Sequence, residues 1–115
     1  MKIKGKAVLL RIFIGEKNKD PETKKPLYKR IVEILKENNI AGATVIRGIL
    51  GFGASSRIHE VSILSLSEDL PVIIEVVDYK EKIEEVLPKI ENLIKNGLIT
   101  MEDVNVIKYI GKEKG

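Results

Sequence analysis

Residues Ala7–Ile14 read AVLLRIFI, an eight-residue run rich in Val, Ile and Phe with a single charge, Arg11. The run is too short for a helix, lysines precede it and Gly15 follows, so it reads as a β-strand. A strand covered on one face only should alternate apolar and polar residues. Here Val8, Leu10, Ile12 and Ile14 form one apolar face, but Ala7, Leu9 and Phe13 make the other apolar too, around Arg11. Two apolar faces need two covers.

Outward from this strand, the polar loop GEKNKDPETKKP ends at Pro26, which suits the first turn of a helix. Leu27, Ile31, Ile34 and Leu35 then recur at helical spacing and predict a helix ending near Asn38–Asn39. Ala43–Leu50 (ATVIRGIL) predicts a second strand and Leu70–Val77 (LPVIIEVV) a third. Asp78, with Glu81 three residues on, predicts a capping-box start for a second helix. Its stripe is Ile83, Val86, Leu87, Ile90, Leu93 and Ile94, closed by Gly97, with Pro88 expected to kink or split it. Val104–Ile110 (VNVIKYI) is the last predicted strand. The order β-α-β-β-α-β predicts an α+β, ferredoxin-like domain, an antiparallel sheet with both helices on one face. The third strand repeats the two-faced pattern, Val72, Ile74 and Val76 against Ile73, Glu75 and Val77. Another copy of the chain is the simplest second cover, so a homo-oligomer is expected, with Arg11 and Glu75 paired on that face.

Composition bounds the function. The 115 residues fit one domain spanning 1–115, with a 43% hydrophobic content ordinary for a soluble globule. Twenty Lys and Arg against 17 Asp and Glu give a net charge of +3, with both signs interspersed. With aromatics at only 4%, no dedicated nucleic-acid binder is expected. No cysteine is present and only one histidine, so disulfides, thiolate metal sites and His-pair zinc sites are excluded. No apolar run approaches a membrane span, and the lysine-led N-terminus lacks a signal-peptide cleavage pattern, which together predict a cytoplasmic protein. The absence of Cys, Trp and Gln beside abundant Lys, Glu, Ile and Val is a thermophile-like composition.

About twenty residues, 51–69, separate the second and third strands, far beyond a hairpin turn. They open with GFGASSRIHE, Gly51–Glu60, whose glycines allow positive φ and close approach of a ligand, and whose successive N–H groups could cradle an anion. Ser55, Ser56, His59 and Glu60 fall within six residues, unlike a catalytic triad drawn from separate elements, and no nucleophile-elbow motif is present. His59 reads as a loop-packing residue. The segment reads as a ligand cradle or a structural turn, not a catalytic loop.

The chain resembles the PII signalling superfamily, and more closely its small PII-like branch known as domain of unknown function 190. The matching stretches are IGE at 14–16, PLYKRIVEILKENNIAGATVIRGILGFGASSRIH at 26–59, SEDLPVIIEVVD at 67–78 and GLITMEDVNVIKY at 97–109. The resemblance implies a trimer of ferredoxin-like subunits with their sheets packed toward a three-fold axis. It also implies a non-enzymatic regulator that needs no cofactor and binds an adenine nucleotide (AMP, ADP or ATP) between subunits. The long loop would engage a target protein, by analogy with PII a membrane transporter. Carried over by position, the cradle is Gly51, Phe52, Gly53, Ala54 and Ser55, with Gly97–Val104 contributed by the neighbouring subunit. Ala54 stands where PII proteins carry a phosphate-contacting arginine, and Ser55 where they carry a glutamine that helps hold metal and 2-oxoglutarate. LITMED replaces a phosphate loop, and no tyrosine lies between Gly51 and Leu70. Phosphate charge would then come from Arg47, Arg57 or Lys108. The alternatives are a small enzyme at the subunit interface, using Arg57, His59 and Glu60, or a structural module without ligand.

Overall fold

The computed structural model describes residues 1–53, 59–60 and 69–112. Strand β1 (Lys2–Gly15) runs through the centre of a four-stranded antiparallel sheet whose order is β2 (Thr44–Arg47), β5 (Pro71–Asp78), β1 and β6 (Leu98–Ile110). Helix α1 (Leu27–Glu37) lies between β1 and β2, and α2 (Lys80–Glu91) between β5 and β6. This is the expected ferredoxin-like arrangement. A separate two-stranded ribbon pairs β3 (Leu50–Gly51) with β4 (His59–Glu60) inside the long connection.

One face of the sheet makes the core. Val8, Leu10, Ile12 and Ile14 of β1 and Val72, Ile74 and Val76 of β5 are buried against Leu27, Ile31, Ile34 and Leu35 of α1 and Ile83, Val86 and Ile90 of α2. Each such side chain stabilises the fold by roughly 1.5–3 kcal/mol. Helix α1 stops where its pattern predicts: Asn38 Nδ2 donates to the Ile34 carbonyl at 2.7 Å, and Asn39 takes the left-handed conformation at φ 61°.

Four sequence expectations are corrected. The strand predicted over 43–50 is broken at Gly48, whose N–H donates to the Pro71 carbonyl at 2.7 Å, so Leu50 joins the ribbon instead of the sheet. Asp78 does not cap α2: its Oδ1 accepts from the adjacent Tyr79 N–H, and its Oδ2 accepts the Ala41 N–H at 2.9 Å, tying α2 to the chain beyond α1. Helix α2 runs unbroken through Pro88 but ends at Glu91, and Leu93 and Ile94 pack on the core from the turns that follow. The first and last strands are longer than predicted, because Lys2–Lys6 and Leu98–Asp103 extend the β1–β6 ladder despite their many charges.

The face without helices carries the second apolar pattern. Register aligns Ile46, Ile73, Phe13 and Leu98 in one row across all four strands, and Thr44, Glu75, Arg11 and Thr100 in the next. Arg11 donates from Nε to Glu75 at 2.9 Å and from Nη1 to Glu102 at 2.7 Å, so the predicted pair forms and gains a second carboxylate.

Candidate functional site

The long connection leaves and re-enters the sheet at the end of β1 marked by Gly15, and short-range chemistry there holds both of its ends. On the outgoing side, Arg47 closes β2 opposite Val72, and its guanidinium donates to the Glu16 carboxylate. Gly48 and Gly51 then cross Pro71: a Cβ on Gly48 would lie 2.7 Å from Pro71 Cγ, and one on Gly51 3.1 Å from it. On the returning side, Asp69 Oδ1 accepts the Lys17 N–H at 2.7 Å and the Leu70 carbonyl accepts the Glu16 N–H at 2.8 Å. A Cβ on Gly15 would meet Asp69 at 2.6 Å. The turn at 15–17 is therefore the clamp for both ends of the connection.

This changes the reading of the glycines. Neither Gly51 nor Gly53 uses positive φ; among the described glycines only Gly5 does. Gly48 and Gly51 are small because Pro71 packs against them. Gly53 differs: among the described residues, a Cβ there meets nothing within 4 Å. Beside it Phe52 is 74% exposed, and Ile49 and Leu50 are also exposed, so the loop base presents an apolar strip.

Of the residues expected to act together, the structure brings Arg47, Gly51, Phe52 and Gly53 to one end of the sheet. Ala54, Ser55 and Arg57 lie outside the described residues, as does the strand extension expected over 61–67; His59 is placed by its backbone pairing with Gly51. Lys108 stands beside the start of β1, about ten residues along the strand from Ile14 and so roughly 30 Å away. Within one chain it does not join the loop base. The segment 98–104 is not a loop but part of β6, paired with Phe13–Ala7, and Gly97 sits against the Phe13 carbonyl, where a Cβ would approach to 2.8 Å. Glu16 and Asp69 were missed as site-forming residues; both fall inside stretches that carry the family resemblance, IGE and SEDLP.

A separate polar hollow of about 300 Å3, lined by residues including Asp20, Arg30, Glu37 and Lys89, lies on the helix side. Its charges satisfy one another: Arg30 reaches Asp20 and Glu37, and Lys89 donates to Asn38. Among the described residues no acidic or histidine cluster suits a metal ion, and no helix is long and apolar enough to cross a membrane.

Comparison with known proteins adds relatives to this geometry. Residues 7–106 match the family described as "Uncharacterized ACR, COG1993", DUF190. The UPF0166 protein of Methanocaldococcus jannaschii is 47% identical over 105 residues, covering 90% of this chain and 94% of its own. Among solved structures, a PII-like signalling protein from Thermus thermophilus superposes with a TM-score of 0.64 at 19% identity, covering 90% of this chain and 91% of its own. CPII, a nitrogen regulatory PII-like protein from Thiomonas intermedia solved with ADP, AMP and bicarbonate, gives 0.62 at 16% identity, covering 92% and 91%. At those identities the likeness shows a shared PII-like fold.

Proposed function

The chain belongs to the DUF190 family, and on that premise we propose that it is a PII-like regulator: a cytoplasmic, non-enzymatic homotrimer that binds an adenine nucleotide between subunits. The long connection over 54–69 passes the bound state to a target protein. The observation that carries this reading is the apolar row Ile46–Ile73–Phe13–Leu98, which no helix covers and which ends beside the loop base. A second copy seated on that row lies next to Arg47, Phe52 and Gly53, so a cradle at the loop base becomes a site between chains. Phe52 offers a base an apolar surface, and no described side chain blocks close approach to the Gly53 backbone. Lys108, roughly 30 Å from the loop base of its own chain, is left out of the cradle. The ADP and AMP bound by CPII support an adenine nucleotide as the ligand class.

Light scattering, with and without AMP, ADP or ATP, and chromatography of each nucleotide after incubation test the reading together. It expects a mass three times the 12.9 kDa of one chain and nucleotides recovered unchanged. A monomer at micromolar concentration removes the inter-subunit site, and conversion of a nucleotide replaces the regulator by an enzyme.

A further inference from the structure

At the end of the molecule opposite the loop base, β1 and β6 run on past the last residue of β5 as a two-stranded ribbon, Lys2–Ala7 against Val104–Ile110. Along β1 the residues alternate sharply: Lys2, Lys4 and Lys6 are exposed, whereas Ile3 and Ala7 are buried at 3% and 5%. Register puts Ile110 beside Lys2 and Asn105 beside Lys6, and a bulge sets Ile107 and Lys108 opposite Lys4. Ile107 is 77% and Ile110 61% exposed. The outer ribbon face thus carries four lysines around two bare isoleucines. Among the described residues none of these lysine side chains forms an ion pair, whereas Arg11, Arg30 and Arg47 all do. The acid closest along the face, Asp103, stands opposite Val8, at the inner edge of the ribbon.

We propose that this ribbon face docks on the surface of an anionic lipid bilayer. Lysines gain from the negative surface potential within a Debye length, and aliphatic side chains among them gain by entering the headgroup boundary; the two together are what a peripheral membrane contact requires. A second copy of the same face is excluded as occupant by lysine–lysine repulsion. A nucleic acid leaves the isoleucines without a role, since the face has no aromatic residue on which bases could stack. Docking by this end points the loop base away from the bilayer. The proposal is independent of nucleotide binding.

Co-sedimentation of the full-length protein with vesicles tests it, using phosphatidylcholine alone and phosphatidylcholine mixed with phosphatidylglycerol. The protein is expected to pellet with the anionic vesicles only, and to be released at about 0.5 M salt, where the Debye length falls to a few ångströms. Each lysine near such a surface is worth about a fivefold change in binding, so the combined Lys2→Gln, Lys4→Gln, Lys6→Gln variant should bind about a hundredfold more weakly. Ile107→Ser should weaken vesicle binding while leaving any binding to duplex DNA unchanged. All of these positions are exposed, and circular dichroism confirms that each variant is folded. The proposal is overturned if folded wild-type protein ignores anionic vesicles, if the lysine variant pellets as well as wild type, or if Ile107→Ser has no effect on vesicle binding.

Discussion

At the residue scale, the loop base is built on one contested cation. Arg47 is the described cationic side chain at the cradle, and Glu16 already holds it. On the proposed function, a nucleotide phosphate would compete with the Glu16 carboxylate for the same guanidinium. Glu16→Gln should tighten nucleotide binding, whereas Arg47→Ala should weaken it about tenfold or more, the usual worth of a charged hydrogen bond. Titration of both variants with ADP checks this, and equal affinities in the two would detach Arg47 from the site. The glycines divide in a similar way. Gly48→Ala must displace Pro71 and should cost about 1–3 kcal/mol in urea unfolding, while Gly53→Val, which meets no described residue, should leave stability unchanged and block binding. A third residue speaks to pH. Asp20 is buried, and hydrogen bonds from the Glu22 N–H at 2.9 Å and the Thr23 hydroxyl at 3.0 Å hold its carboxyl below the usual range, against the opposing effect of burial. A carboxyl lowered in the fold stabilises it above the unfolded pKa near 4, and that stability is lost as pH falls through the folded value. Asp20→Asn should remove this part of the acid sensitivity; identical loss of stability in wild type and variant between about pH 4 and pH 2 would contradict the assignment.

At the scale of elements, the question is what the triad of Arg11, Glu75 and Glu102 does in the middle of an apolar face. In a lone chain these side chains remain 34–57% exposed, so their pairing contributes little to folding. Once a neighbour covers the face, removing Arg11 strands two carboxylates away from water. Arg11→Ala should therefore leave the unfolding midpoint of the isolated chain nearly unchanged, yet raise the dissociation constant of the oligomer on the order of a hundredfold or more. Dilution-dependent light scattering measures it, and an unchanged constant would show that this face lies outside the interface. The triad also marks how far the sequence could be read. Period-two and helical stripes made β1, β5 and α1 legible, and the pairing of Arg11 with Glu75 followed from the two-faced pattern. What escaped was set by contacts distant in sequence. Gly48 breaks a strand because Pro71 lies across it, Asp78 turns to Ala41 instead of capping α2, and the charged LITMED extends β6 because β1 offers it a partner. At the site, the GFG motif marks where the chain leaves the sheet for the β3–β4 ribbon. The clamp through Glu16 and Asp69 had no local signal, since a carboxylate aimed at a backbone N–H or an arginine many residues away leaves no periodic trace.

At the scale of the whole molecule, the proposed function rests on a second copy covering the helix-free apolar face, which would make a site from parts that one chain keeps apart. Leu9→Asp places a charge on the helix-free face and should yield monomers that stay folded but no longer bind nucleotide. The most direct test of the central claim is isothermal titration calorimetry of the wild-type protein with AMP, ADP and ATP, repeated on Gly53→Val. Saturable binding of at least one of these nucleotides by wild type, absent in a Gly53→Val protein that retains its trimer mass, is the result this account predicts. No heat with any of the three nucleotides, or the same affinity in Gly53→Val, would contradict it.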